Sequence, residues 1–125
     1  MIVEVPVSVG ELVDKITILI IKSTFATEQN QKTNIDKELK LLQNKIDDLG
    51  LGGHPAFPAL LQTMTNINTA IWNVENKLRY PNVLDADFAR WSRQTHNFND
   101  ERAALKRQIN SIFQSEIIEE KIYQE

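Results

Sequence analysis

Arg102 and Lys106 are the residues of this sequence best placed to bind an anion. Arg102 interrupts an otherwise largely apolar stripe whose members recur at alternating steps of three and four, the spacing of a helix face that packs against other helices. An unpaired buried charge costs about 3–5 kcal/mol, so the guanidinium is predicted to contact a carboxylate, a ligand or water. The stripe consists of Phe88, Trp91, Thr95, Phe98, Arg102, Leu105, Ile109 and Ile112.

The neighbours of Arg102 extend this candidate site. Lys106 follows it by four residues, and Asn99 precedes it by about one helical turn. Two like charges at this spacing repel each other, more strongly when they are removed from water. The pattern therefore predicts an anionic partner, and the candidates within the chain are Asp14 and Glu75. The predicted polar site consists of Asp14, Glu75, Asn99, Arg102 and Lys106.

Three interpretations of this site are open. The pattern favours an interior ion-pair network that fixes the register of the helices. In the second interpretation, Arg102 and Lys106 keep donors free for an anionic small molecule such as a phosphate or a carboxylate. In the third, Arg102 extends to solvent and its aliphatic stem covers apolar surface.

Other chemistry has little support in the sequence. A Gly-rich phosphate loop, a nucleophile elbow and a zinc motif are all absent, and there is no cysteine. His54 and His96 stand far apart without a second ligand at metal spacing, so both are interpreted as structural. Glu116 and Glu119 belong to an E-x-x-E pattern but lack the second carboxylate pair of a magnesium site. No catalytic residue, metal or cofactor is predicted, and whether the protein is an enzyme stays open.

Composition narrows the class of protein. The 125 residues fit one domain, with 42% hydrophobic and 25% charged residues, as in a soluble globular protein. A net charge of −3 gives no general attraction to nucleic acid or to an anionic membrane. The longest apolar run, Ile16–Ile21, is broken by Thr17 and is too short to span a bilayer. No signal-peptide pattern opens the chain. We therefore expect a cytoplasmic protein without nucleic-acid or membrane partners.

The N-terminal part is predicted to be a short extended segment followed by a very apolar helix. Valines alternate over Ile2–Val7, and Pro6 confines this segment to the edge of a sheet or to no sheet. Ser8 and Glu11 have the spacing of a capping box, at the start of a helix predicted over residues 9–27. This helix is apolar over most of its circumference, so we expect it to lie centrally or against a second subunit. We predict a homodimer through it.

Three further amphipathic segments complete the predicted fold. They cover residues 35–49, 60–78 and 85–115, with breaks at the polar stretch 28–34, the Gly- and Pro-rich stretch 51–58 and Tyr80–Pro81. Asp85 is the expected N-cap of the last helix. The tail, residues 116–125, is either helical or extended across the bundle. We predict an all-α fold, an antiparallel bundle of about four helices, in a single domain over residues 1–125.

Four blocks of the sequence together carry a resemblance to a known family. They are Ser8–Lys22 (SVGELVDKITILIIK), Asn68–Glu75 (NTAIWNVE), Asn99–Asn110 (NDERAALKRQIN) and Ser115–Tyr123 (SEIIEEKIY). Together they resemble a family of short bacterial and phage-borne proteins classed as a domain of unknown function, with the pattern SxGELxDKITIL … NDxRAxLKRxIN … EEKxY. The resemblance implies a helical fold and brings no known activity.

Two classes of function follow from these observations. The first is a non-catalytic interaction or scaffold module that associates with itself. The second is a small-molecule binder, or an enzyme, that acts on a phosphorylated or carboxylated ligand. In that class Arg102 and Lys106 donate to the anion, and Asp14 or Glu75 serves as the acid or base.

Overall fold

Four α-helices are present in the described part of the chain, as the apolar periodicity predicts. The computed structural model describes residues 1–124, and those residues contain no strand. The helices are α1 (Val9–Phe25), α2 (Gln29–Asp48), α3 (Phe57–Leu78) and α4 (Asp85–Ile112), with a short 3₁₀ turn at Leu51–Gly53 between α2 and α3. The all-α bundle is therefore confirmed. No helix in the described part of the chain is both long enough and apolar enough to cross a membrane.

α1 is the central helix of the bundle. It packs against α2, α3 and α4. Leu12 and Ile16 on one side meet Ile46 of α2, while Val13 on another side joins Leu60, Met64, Leu105 and Ile109 of α3 and α4. α1 therefore buries most of its apolar side chains within the described part of its own chain, although Ile18 and Ile20 are half-buried and Phe25 is exposed. The dimer through α1 stays a prediction.

Helix ends differ from the predicted ones where polar residues are good helix formers. α2 begins at Gln29, whereas residues 28–34 were predicted to be a break. That prediction is wrong because glutamine and lysine accept a solvent-facing helix without an apolar stripe. α4 begins at Asp85 with Leu84 as its N-cap, so Asp85 does not cap it. Gly50 ends α2 with a φ of +66°, the left-handed conformation that favours glycine.

Residues 1–7 and 113–124, at the two ends of the described chain, are not helical. Residues 1–7 are exposed and form no strand. α4 stops after Ile112, and Gln114 has a φ of +53°. The described tail then folds back along α4, because Ser115 donates from its backbone to the Asn110 carbonyl (2.8 Å) and Lys121 reaches Asp100 (2.6 Å). Residues 116–124 are therefore not helical, but they run back along α4 where the second prediction had an extended tail across the bundle. Glu125 lies outside the described residues.

Candidate functional site

Asp14 lies at the centre of the polar site, in the middle of α1. Its side chain is completely buried because α3 and α4 pack over this turn of the helix. Arg102 of α4 donates from Nε to both carboxylate oxygens, at 3.0 Å each, and its Nη2 donates to Oδ2 as well. The guanidinium therefore contacts the carboxylate through two nitrogens, and this geometry fixes the orientation of both groups.

The amide of Asn68 adds the third helix to this arrangement. Asn68 of α3 donates from Nδ2 to Asp14 Oδ1 and to Thr17 Oγ1, both at 2.8 Å. The Thr17 hydroxyl in turn donates to the backbone carbonyl of Asp14 at 2.7 Å. Asp14, Thr17, Asn68 and Arg102, which we call the Asp14 cluster, thus connect α1, α3 and α4 through side chains whose donors and acceptors match.

Lys106 borders the Asp14 cluster one turn further along α4. Its ammonium donates to Glu11 Oε2 and lies 3.8 Å from Asp14 Oδ2. Two cations from α4 therefore face two carboxylates from α1, which removes the repulsion between Arg102 and Lys106. Only half of the predicted capping box is formed. The Ser8 hydroxyl accepts a hydrogen bond from the Glu11 backbone at 3.0 Å, but the Glu11 carboxylate contacts Lys106.

The structure brings three of the five predicted site residues together. Asp14, Arg102 and Lys106 are in contact. Glu75 does not pair with Arg102, although both residues border the same cavity. Asn99 is half-buried, and its side chain makes no hydrogen bond with residues 1–124.

Sequence reasoning missed Asn68, Thr17 and Glu11 as members of the site. Glu11 was predicted to form a capping box with Ser8, and its contact with Lys106 was not predicted. Asn68 follows Ile67 near the apolar stripe of α3 and carries no charge that would have called for a partner. The one usable signal was its spacing from Met64 and Ile71, which places it on the buried side of an amphipathic helix.

A cavity of about 380 Å³ opens beside the Asp14 cluster. α1 and α3 supply most of its walls, and Arg102 borders it from α4. Trp72 lines it, is stacked under Phe25 at 5.5 Å between ring centroids, and has a buried Nε1 without an acceptor among the described residues. The lining residues are Ile18, Ile21, Asn68, Ile71, Trp72, Glu75, Asn76, Arg79 and Arg102.

A second polar cluster fastens the tail to the start of α1. Asn110 of α4 is buried; its Oδ1 accepts from the Gly10 backbone at 2.7 Å, and its Nδ2 donates to Glu119 Oε2 at 2.9 Å. The Ser8 hydroxyl donates to the other oxygen of Glu119, and Ser115 Oγ accepts from the Val9 backbone at 3.2 Å. We call Ser8, Asn110, Ser115 and Glu119 the C-terminal latch.

The latch holds Glu119 in its ionised form. Burial tends to raise the pKa of the Glu119 carboxyl, but hydrogen bonds from Ser8, its own backbone and Asn110, with the charge of Lys106, outweigh burial. The pKa therefore lies below its ordinary value of 4.5. Hydrogen bonding to the charged form of a carboxyl favours ionisation, so the latch is fully formed at neutral pH.

The fold and the site together describe a small helical bundle with an interior ion-pair network beside an open cavity. A protein-family model matches residues 1–125, and it is described as a family of unknown function (DUF6165). The chain therefore belongs to this family. The resemblance to a domain of unknown function is thereby confirmed. No curated protein and no solved structure was found to match the chain.

Proposed function

We propose that this protein binds a small anionic molecule, phosphorylated or carboxylated, in the cavity beside the Asp14 cluster. The observation that carries the proposal is the arrangement of Arg102. Asp14 occupies its Nε and Nη2, so the guanidinium is held in one orientation at the cavity wall. A donor that is fixed before binding loses less conformational freedom when a ligand arrives.

Unused hydrogen-bonding capacity on the cavity wall supports this proposal. Arg102 Nη1 and the Arg79 guanidinium make no hydrogen bond with residues 1–124 and both residues line the cavity. Arginine suits carboxylates and phosphates because its planar fork can donate two parallel hydrogen bonds. Lys106 is not part of this surface, since it borders a smaller cavity of about 190 Å³ next to the tail.

The same geometry supports binding more than catalysis. Asp14 lies beneath Arg102, already accepts from Arg102 and Asn68, and is not a lining residue of the cavity. A general base must reach the proton that it removes, and Asp14 does not reach the cavity. Glu75 is the remaining carboxylate on the wall.

A thermal-shift screen of phosphorylated and carboxylated metabolites tests the proposal. A ligand present at a hundred times its Kd stabilises the folded protein by about 2.7 kcal/mol, which gives a clear rise in Tm. Arg79→Gln should weaken binding of the best compound about tenfold, because a hydrogen bond to a charged group contributes about 1.5–3 kcal/mol.

Arg93→Gln is the matched control. Arg93 is an exposed arginine of α4 outside the cavity lining, so its loss should leave binding unchanged. The proposal is wrong if no anionic compound stabilises the protein, or if the two arginine variants bind the best compound equally well.

A non-catalytic module that associates with itself is the second candidate function. One observation favours it: the N-terminal segment exposes apolar side chains, with Val3 at 74% and Val5 at 67% exposure. Such a patch can mark a protein interface. Sedimentation equilibrium of the full chain and of a chain that lacks residues 1–6 is the test. A dimer that requires these residues supports the candidate, and a compact monomer at micromolar concentration removes it.

A further inference from the structure

We infer that the ligand of this cavity is a zwitterion, a small molecule that carries an ammonium group next to its anionic group on an apolar body. The inference rests on the proposed function and adds Glu75 to it. Glu75 is half-buried at the cavity wall, and its carboxylate forms neither a hydrogen bond nor an ion pair within residues 1–124. A charged group in this position needs a partner, because partial burial removes some of its water.

Arg79 is the nearest residue that could neutralise Glu75, but it does not pair with it. Arg79 is the exposed C-cap residue of α3 and follows Glu75 by four residues. The acidic residue comes first, which is the order in which such pairs are most stable. The two side chains nevertheless form no ion pair in the described chain, and both border the cavity. One helical turn of the wall therefore offers a free carboxylate and a free guanidinium side by side.

The charges around the cavity favour a ligand with both signs. Asp14 neutralises Arg102, so the wall retains one negative charge at Glu75 and one positive charge at Arg79. A purely anionic ligand satisfies Arg79 but is repelled by Glu75, whose carboxylate stays without a partner. A ligand that carries an ammonium beside its anionic group satisfies both side chains, since groups one turn apart are only about 5–6 Å apart at their Cβ atoms.

The remaining walls specify the body of the ligand. Ile18, Ile21, Ile71 and Trp72 present apolar surface to the cavity, and its volume of about 380 Å³ lies at the lower end of the range for small-molecule sites. Polar ligands with a long charged side chain would leave this surface against water or bury a charge on it. The chemistry of the cavity therefore fits an α-amino acid with an apolar side chain, or a compound of the same class.

The experiment compares amino acids with their desamino relatives. The twenty common amino acids and the carboxylic acids that lack only the α-ammonium group are screened by thermal shift at equal concentrations. The best pair is then titrated by calorimetry. We expect the best amino acid to bind at least about tenfold more tightly than its desamino acid, because one charge-assisted hydrogen bond is lost with the ammonium group.

Glu75→Gln identifies the residue responsible. The substitution keeps the shape of the side chain and should weaken the amino acid about tenfold while leaving its desamino acid unchanged or tighter. Glu38→Gln, at an exposed position of α2, is the control and should change neither. Circular dichroism of both variants verifies that they are folded before the affinities are compared.

The outcomes separate this inference from the proposed function. If desamino acids or phosphorylated compounds bind and amino acids bind no better, the zwitterion inference is wrong and the anion site stands. If Glu75→Gln weakens both members of the pair equally, or neither, the inference is also wrong. If no amino acid, carboxylic acid or phosphorylated compound binds, both are wrong.

Discussion

The Asp14 cluster and the C-terminal latch both involve α1 and α4, yet they differ in what they stabilise. The Asp14 cluster connects three helices around a carboxylate with no exposure to solvent. The latch holds a non-helical tail through Glu119, which is only half-buried, and the ion pairs that follow it along the tail are more exposed still.

The comparison shows that the energetic role of a polar contact depends on the water removed from it. A buried charge that loses its partner retains its full desolvation penalty, whereas an exposed one is solvated again. We therefore expect the Asp14 cluster to determine whether the bundle folds with the correct helix register. The latch should determine only whether the tail stays attached.

Arg102→Leu should have the largest effect on stability. It leaves the buried Asp14 carboxylate with Asn68 and a lysine 3.8 Å away, and breaking a buried pair on one side costs about 3–5 kcal/mol. Urea unfolding monitored by circular dichroism measures the change. A loss below about 1 kcal/mol would show that water or Lys106 replaces the guanidinium and would contradict the assigned role of the cluster.

The double variant Asp14→Leu/Arg102→Met sharpens this prediction. With both charges gone, no carboxylate remains unpaired, so the double variant should be more stable than the sum of the two single variants predicts. We expect a coupling of about 1–3 kcal/mol, the upper part of the range for residues in one network. Strict additivity would mean that the two residues contribute independently.

Gly10→Ala should have the next largest effect, because Gly10 lies where α1 touches α4 between the two clusters. An added Cβ would lie 2.7 Å from the Lys106 carbonyl oxygen and 3.0 Å from its Cα. Both are backbone atoms, so α1 and α4 must move apart, at a cost of about 1–3 kcal/mol. Gly52→Ala is the control, since nothing lies within 4 Å of its added Cβ; equal unfolding midpoints for the two variants would contradict the close helix contact.

Glu119→Gln should have a smaller effect that depends on pH. The folded protein lowers the pKa of Glu119, so its ionised form contributes stability above the unfolded pKa of about 4.5, and the contribution is lost as pH falls through the folded value. At neutral pH the loss should be about 0.5–1.5 kcal/mol, as for an ordinary hydrogen bond.

The pH dependence of Glu119→Gln can be isolated by difference. The stability of the wild type minus that of the variant should be constant near neutral pH and shrink below pH 4.5. Glu116→Gln serves as the control, because Glu116 is exposed in the same tail. A difference that grows on acidification would contradict the assigned hydrogen bonds.

The sequence predicted the helices well and the network around Asp14 in part. Apolar periodicity identified all four helices, since a core must be buried whatever the details of the surface. It failed at Gln29, where a solvent-facing helix start needs no apolar residue. Arg102 was recognised because a charge on an apolar stripe demands a partner, and Asp14 was one of its two candidate partners.

The choice between those partners could not be made from the sequence. Asp14 and Glu75 each flank apolar positions, and only the packing of α1 on α4 decides which one Arg102 reaches. Neutral members of a polar site are harder to recognise from the sequence, because Asn68 and Asn110 carry no charge that requires a partner. The latch depends on a tail conformation that no periodicity encodes, since residues 113–124 contain no helix.

The ion pair between Asp100 and Lys121 is expected to have the smallest effect on the stability of the fold. A hydrogen bond from Lys121, opposed by slight desolvation and assisted by Tyr123, lowers the pKa of the Asp100 carboxyl below 3.8. Both residues of the pair are exposed at this end of the tail, so Asp100→Asn should change the unfolding midpoint only slightly. An NMR titration of the Asp100 carboxyl carbon should show the lowered pKa in the wild type and a higher pKa in Lys121→Gln. An Asp100 pKa that is the same in both proteins would mean that the tail does not lie along α4 in solution.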